Sequence, residues 1–398
     1  MSAAFASPKF PILAKCPSGL EQVLASELEA LGAEEIEPQL RAVAFRGDRR
    51  MLYAANYHCR TALRILLPFS RFTIATESDL YTQVKAIRWE EYFSASDTFA
   101  IDSTLLNSVY THSHYASQRT KDAIADRFRD RTGKRPSVNI EDPDFRINLH
   151  MSRNEVTLSF DSSGTSLHRR GYHVANAEAP LSEVLAAGMV LLSGWDGQTN
   201  FIDPMCGSGT LLTEAAMIAM NLPAGYFRES FGFMKWKDFS KELWEDILNE
   251  ALDNQQDIEC IIRGSDISAK NLEAAAANLK AARLHKDVEL EVMSFQKVVP
   301  PPPPGVVITN PPYGEKIRVE DINALYKELG NAFKRNFSGY RAWVISSDQQ
   351  ALKLIGLKPG KKFTLFNGPL ECRYAGYDLY EGSRREFLTS NLPGRTNP

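Results

Sequence analysis

Asn310-Pro311-Pro312-Tyr313 closes a short run of apolar residues, "GVVIT" (305–309). Two consecutive prolines fix φ and remove two N–H donors. The Pro311 carbonyl is then held rigidly, with no neighbouring donor competing for it. The Asn310 side-chain oxygen is a second acceptor. Two acceptors aimed at one place suit an exocyclic –NH2 group, and Tyr313 offers a flat face on which a planar base stacks. An amine conjugated to a ring is a poor nucleophile because its lone pair is delocalised. Acceptors that draw it toward tetrahedral geometry and aim it at an electrophilic methyl group act by positioning and electrostatic preorganisation. Neither a metal nor a covalent enzyme intermediate is required. Alone, the tetrapeptide also reads as a proline-rich turn that ends a strand.

A second stretch makes that plainer reading a poor one. "FIDPMCGSGT" (201–210) follows a predicted strand and opens a helix. Asp203 ends the strand. Gly207 and Gly209 allow a tight turn and close backbone approach to a ligand, and the helix N-terminus presents free N–H groups. The next strand ends at Asp266, in "RGSDIS", where an acid accepts hydrogen bonds from both ribose hydroxyls. Asp203, Pro204, Met205, Cys206, Gly207, Ser208, Gly209 and Thr210, with Asp266 and Ile267, are therefore candidate contacts for an adenosine-containing ligand. The spacing is longer than in a dinucleotide fingerprint. An insertion, 222–256, carries Trp236 and Trp244 between the first helix and the second strand.

Repeated βα units must position these loops. From about 178 to 390, short apolar runs alternate with long helical patterns. Pro180 begins the first helix, and the series ends in two β-like runs, "KFTLFNG" and "ECRYAGYDLY". This alternation predicts a parallel, doubly wound sheet. Upstream, residues 10–66 read as strand, helix, strand, helix. In the first helix Leu20, Val23, Leu24, Leu28 and Leu31 share one face. Ser18 is a candidate N-cap, with Glu21 three residues on, and Gly32 a left-handed C-terminal cap. The second helix is read as "RRMLYAANYHCRTALRILL" (49–67). Residues 67–160 form a different unit, with strands in "DTFAIDSTLL" and "NEVTLSFD" and a helix running to Gly133 on an apolar side of Ala123, Ile124 and Phe128. The run Pro300–Pro304 reads as an extended connector.

The chain has 398 residues, enough for two or three domains, and its 43% hydrophobic and 24% charged fractions are those of a folded soluble protein. No apolar run reaches a membrane span, and no signal peptide is expected. The five cysteines (16, 59, 206, 260, 372) lack C-x-x-C spacing, and the seven histidines contain no H-E-x-x-H. Disulfides and a metal site are not expected, and a reducing cytoplasm fits. The net charge of −3 excludes a uniformly basic coat but not a local basic face.

Residues 178–320 resemble a class I S-adenosylmethionine-dependent methyltransferase of the exocyclic-amine type, through "APLSEVL", "DPMCGSGT", "GSDIS" and "NPPYGE" in order. With "PSGLEQVLASELEALG", "YASQRTKDAI", "HRRGYHVANAEAPL", "AWVISSD" and "NGPLECR", nearly the whole chain resembles the THUMP-containing guanine-N2 methyltransferases. The nearest type is the RlmL type, which acts on 23S rRNA. The resemblance implies a ferredoxin-like subdomain (1–66), a THUMP domain (67–160) and a Rossmann-like methyltransferase domain (161–390). It implies S-adenosylmethionine as cofactor, Pro180 and Leu181 near its methionine end, and RNA as partner. Some members carry a second methyltransferase domain; this chain ends at Pro398 and is expected to lack it. The family's third strand usually ends in an acid that contacts adenine. Here the stretch is "EVMSFQKV", so Ser294 is expected to hydrogen-bond instead and Phe295 to pack on the ring.

Residues 119–135 hold seven Lys or Arg against three Asp, an excess of four positive charges. By itself this is a solvated helix face laced with i,i+4 pairs. The resemblance to an RNA-binding module turns Arg119, Lys121, Arg127, Arg131, Lys134 and Arg135 into a candidate phosphate-binding patch, extended toward the pocket by Arg169 and Arg170. A paired guanine would have to be extruded to reach Tyr313. The same constellation serves tRNA guanines. Adenine-N6 in DNA, a protein glutamine, or a non-catalytic RNA-binding protein are further readings. The oligomeric state is not legible in the sequence.

Overall fold

The computed structural model describes residues 8–175, 181–313 and 319–380. The chain divides into two compact units. The first gathers residues 1–16, 24–169 and 228–250, and the second 17–23, 170–227 and 251–398.

The first unit is built on β1 (Phe10–Lys15), α1 (Glu21–Ala30), β2 (Glu34–Gln39), β3 (Ala42–Gly47), α2 (Arg49–His58), β4 (Arg64–Thr73), α3 (Glu77–Ala86), β5 (Thr98–Leu106), α4 (Ser113–Thr132), β6 (Ser137–Val138), β7 (Phe145–Ser152) and β8 (Glu155–Asp161). The segments read as separate N-terminal units share one eight-stranded sheet, in the order β2-β3-β1-β4-β8-β7-β5-β6. Leu24 and Leu28 of α1 are buried, and Gly32 takes φ +86° as a left-handed stop. Helix α1 begins at Glu21, later than Ser18 would place it, and the Gly19 N–H donates to Glu21 Oε2 at 2.8 Å.

The second helix is shorter than its pattern. It starts on Asp48, whose carboxylate accepts from the Met51 N–H, and stops at His58. Residues from Arg64 onward form β4 instead. Ile65 pairs with Ala14 and Leu66 with Asp161, so both lie in the middle of the sheet. Burial between two neighbouring strands outweighs a helical apolar spacing here. Helix α4 ends as read, with Gly133 left-handed and Ala123, Ile124 and Phe128 buried. These residues pack with Leu80 and Val84 of α3 on Phe99, Ile147, Leu149, Met151, Val156, Leu158 and Phe160 of the sheet.

The second unit contains α5 (Glu183–Ser193), β9 (Asn200–Asp203), α6 (Thr210–Ala219), β10 (Ile262–Asp266), α8 (Ala269–Ala281), β11 (Val288–Val292), β12 (Gly305–Thr309), α9 (Val319–Asn336), β13 (Tyr340–Ser346), α10 (Gln349–Leu354), β14 (Lys361–Asn367) and β15 (Leu370–Asp378); α7 (Lys241–Asp253) precedes β10 in the chain. Its sheet runs β11-β10-β9-β12-β13-β15-β14. The first five strands are parallel, and the β14–β15 hairpin closes one side antiparallel. The proline run before β12 is held by its carbonyls: Asn200 Nδ2 donates to Pro302 at 2.9 Å and the Tyr340 hydroxyl to Pro301 at 2.7 Å. No described helix is long and apolar enough to cross a membrane.

The insertion behaves unlike its place in the chain. Residues 228–250 cluster with the first unit. Phe233 stacks on Tyr53 with ring centroids 4.2 Å apart, Trp244 meets Tyr57 edge-on at 5.1 Å, and Trp236 meets Phe160 at 6.1 Å.

Candidate active site

Strands β9 and β12 are parallel neighbours, with Val307 opposite Ile202. The sheet grows outward from this pair, through β10 and β11 on one side and β13 on the other. Open α/β sheets bind ligands at such a reversal, beyond the carboxyl ends of the strands. The glycine loop leaves β9 there and Asn310–Tyr313 leaves β12. The Thr309 hydroxyl donates to Asp203 Oδ1 at 3.0 Å and ties the two strand ends together.

In the loop, Gly209 (φ +78°) opens α6, and a Cβ there would lie 3.1 Å from Ala275 Cβ of α8. Gly207 takes φ +55°, and a Cβ there would meet nothing within 4 Å. The loop is therefore open on the side where a ligand would lie. Asp266 anchors it. Its Oδ2 accepts from the Gly207 N–H at 3.0 Å, and its Oδ1 from the Ser268 N–H at 2.9 Å and Asn271 Nδ2 at 3.2 Å. A carboxylate offers about four acceptor directions. The loop uses three of them.

Other expected loop residues contribute mainly by shape. The Met205 N–H donates to Asp203 Oδ1 at 3.2 Å, and its side chain packs against the core. Pro204 is buried, and its carbonyl accepts from the Ser265 hydroxyl at 3.4 Å. Cys206 is buried, and burial pushes its thiol well up. Ser208 and Thr210 are buried, and Asn278 Nδ2 holds the Ser208 carbonyl at 3.0 Å. Leu181 is buried just before α5, whereas Pro180 lies outside the described residues.

Two observations bear on the ligand. Burial raises the Asp203 carboxyl from its ordinary 3.8 to about 7, with no cation beside it to offset the desolvation. Next to Asp266, the Ile267 side chain is 79% exposed at the mouth of the crevice. Asp203 is thus a buried acid at the end of β9, and Ile267 an exposed apolar side chain just after β10. Ser294 donates its hydroxyl proton to Gln296 Oε1, which leaves its oxygen as an acceptor. Phe295 is 7% exposed and packs in the core cluster that includes Val298 and Phe333. The Phe295 ring thus packs into the core directly after β11.

Asn310 Oδ1 is buried and has no hydrogen-bond partner among the described residues. Pro311 is buried and Pro312 exposed. Tyr313 is half-buried. Its hydroxyl oxygen accepts from Asn367 Nδ2 at 2.8 Å, with Cys372 Sγ at 3.8 Å, and burial pushes the phenol well up. Asn367 and Cys372 come from the β14–β15 hairpin and were not singled out from the sequence. The quoted segment "NGPLECR" contained both, but nothing local to it points at Tyr313.

Residues 170–376 match the RMKL-like methyltransferase-domain family, 75–161 the THUMP domain, and 11–66 the RlmL ferredoxin-like domain. The chain belongs to this methyltransferase family. A protein of Synechocystis sp., provisionally named an RNA methyltransferase, is 38% identical over 95% of this chain and 99% of its own length. The Ribosomal RNA large subunit methyltransferase K/L of Syntrophotalea carbinolica is 39% identical over 96% of this chain but 55% of its own length. The chain spans about half the length of the K/L relatives it matches. Among solved structures, SMU.472, described as a methyltransferase and complexed with SAH, superposes with a TM-score of 0.85 at 29% identity, covering 94% of this chain and 99% of its own. The fold is that of a ferredoxin-like and THUMP region followed by a Rossmann-like methyltransferase, and its cofactor is S-adenosylmethionine.

The expected phosphate-binding residues of this methyltransferase divide on inspection. Arg131, Lys134, Arg135 and Arg169 are exposed. Arg119 lies over the Tyr81 ring at 4.8 Å, and Lys121 pairs with Asp122 at 3.2 Å. Arg127 is engaged in both directions by Glu90, at 3.1 and 2.5 Å. Arg170 does not belong to a surface patch. It is 1% exposed and bonds the equally buried Glu214, which also accepts from the Tyr172 hydroxyl at 2.9 Å. A guanidinium sealed against a carboxylate inside the second unit is not available to RNA.

Proposed function

We propose that this methyltransferase acts on the exocyclic N2 amine of a guanosine in RNA, with 23S rRNA as substrate. The observation that carries the amine is Asn310 Oδ1, a buried acceptor without a donor. An acceptor of this kind costs about 1–3 kcal/mol if left unmade. It supports a substrate that brings an N–H to it. Bound S-adenosylmethionine supplies an electrophilic methyl group. Asn310, with the Pro311 carbonyl, orients the amine and accepts its hydrogen bonds. Tyr313 stacks on the base, its ring steadied by Asn367 and Cys372. Asp203, Gly207, Gly209, Asp266, Ile267 and Ser294 hold the cofactor, Leu181 backs its methionine end, and Thr309 keeps the two loops in register.

The THUMP match and the rRNA-modifying relatives favour RNA over DNA or a protein glutamine. The exposed cations Arg131, Lys134, Arg135 and Arg169 are the patch we assign to it. We take 1–66, 67–160 and 161–390 as the domain boundaries and the cytoplasm as the site of action. The test is transfer of labelled methyl from S-adenosylmethionine to separated rRNA and tRNA from cells lacking the gene, with mass spectrometry of the product nucleosides. N2-methylguanosine confined to 23S rRNA is expected. The same nucleoside in tRNA would keep the mechanism and replace the substrate. A methylated adenine or glutamine would overturn the base assignment.

A further inference from the structure

The eight-stranded sheet of the first unit has two unlike faces. One carries Ile147, Leu149, Met151, Val156, Leu158 and Phe160 against α3 and α4. Strand alternation sends their neighbours to the other face. Register places Asn148 opposite Ser159 and His150 opposite Thr157 on that side. Asp161 then lies opposite Leu66, two residues along β4 from Arg64, and Arg64 lies directly opposite Lys15. Arg41, left-handed at φ +59°, lies in the turn just before β3, where its carbonyl accepts from the Cys16 N–H at 3.0 Å.

Lys15 and Arg64 are therefore directly opposed on β1 and β4, with Asp161 diagonal to Arg64 on β8 and Arg41 at the turn before β3. Asp161 pairs with Arg64, which also lies 3.9 Å from Asp102. Lys15 has no hydrogen-bonded partner for its amine among the described residues. Like charges directly opposite in a sheet are destabilising. Burial, then Arg64, then Arg41 all push the Lys15 amine below its ordinary value, against weaker opposite pulls from Asp161 and Asp102. The fold thus keeps a lysine where it is unfavourable. A phosphate is the group that would reverse the balance, since it supplies negative charge and acceptors to Lys15 and its neighbours together. Two opposed cations on a polar face, with a third at the adjoining turn, suit a chain of phosphates better than one small anion.

We propose that this face of the sheet, centred on Lys15 with Arg41 and Arg64, binds phosphodiester groups of the RNA. The site is separate from the basic helix α4, whose buried residues pack on the opposite face. The inference rests on the RNA reading given above.

The test measures binding of a 23S rRNA transcript to the full chain between about 50 and 200 mM salt, for wild type, Lys15→Gln and Lys15→Arg. Lys15→Gln is expected to weaken binding and to lower the slope of log K against log salt by about 1, with Lys15→Arg close to wild type. Thermal melting is expected to leave Lys15→Gln as stable as wild type or more so, because it removes an unfavourable charge. Wild-type affinity and slope in Lys15→Gln would overturn the inference and leave the RNA reading intact. So would weaker binding accompanied by a lower melting temperature, which would make Lys15 a structural residue. Failure of the wild type to bind RNA while it still binds cofactor would overturn both.

Discussion

In the proposed mechanism Asn310 and Tyr313 divide the work at the residue scale. The first presents an unmet acceptor, and the second a ring whose hydroxyl is already held. Asn310→Ala is expected to lower methyl transfer by about 10²–10³-fold, the usual loss when one preorganised polar group is removed, with cofactor and RNA binding retained. Unchanged turnover in single-turnover assays would refute the role. Asn367→Ala removes the donor that fixes Tyr313. A loss of about 1 kcal/mol, roughly five-fold in kcat/KM, is expected without a change in cofactor affinity. Steady-state kinetics beside cofactor titration separate this from a general loss of folding.

Asp203 gives a pH prediction at the same scale. Its carboxyl is raised from 3.8 to about 7 in the folded protein. The folded state therefore binds the proton more tightly than the unfolded state does. Stability of the cofactor-free protein falls as pH rises from the ordinary carboxylate range through about 7. Asp203→Asn should remove this part of the fall. Melting temperatures of both proteins at about pH 5.5 and about pH 8 test it, and parallel curves for the two would contradict it.

Among the elements, the β9 and β12 ends with their loops make the site, and packing between helices fixes one of those loops. Gly209 is left-handed and close to Ala275 of α8. Gly209→Ala should cost about 1–2 kcal/mol from the backbone alone, since a Cβ disfavours that region. It should also weaken cofactor binding, because either the turn or α8 must shift. Urea denaturation and calorimetric titration read the two effects. The elements differ in how far the sequence shows them. The glycine loop, Asn310–Tyr313 and the end of α4 are legible because glycine and proline restrict the local backbone. The stretch Arg64–Leu67 is not, because its apolar spacing suits a helix as well as a buried strand. Only pairing with β1 and β8 selects the strand.

At the scale of the whole molecule, chain order and packing part company. Residues 228–250 lie within the segment that matches the methyltransferase family, yet they complete the first unit. Arg228 donates to the carbonyls of Ser163, Thr165, Ser166 and Arg169, and Phe233 is fully buried against Tyr53. Phe233→Ala should destabilise the first unit by about 3–5 kcal/mol. A fragment of residues 1–169 should melt earlier than the same unit in the full chain, because Tyr53, Tyr57 and Phe160 lose their aromatic partners. Hydrogen exchange on β4 and β8 in the full-length variant would locate the loss. Protection unchanged there would show that the segment is an appendage.

The sequence by itself determined the chemistry of the loops. Prolines, glycines and strand-terminal acids act through the backbone next to them, and their order along the chain names the class of site. Tertiary structure decided which side chains serve it. Asn367 reaches Tyr313 across 54 residues, Arg170 turns inward to Glu214, and Lys15 comes to face Arg64. Those outcomes depend on strand register and on burial, which couple residues far apart in the chain and leave no local periodicity to read.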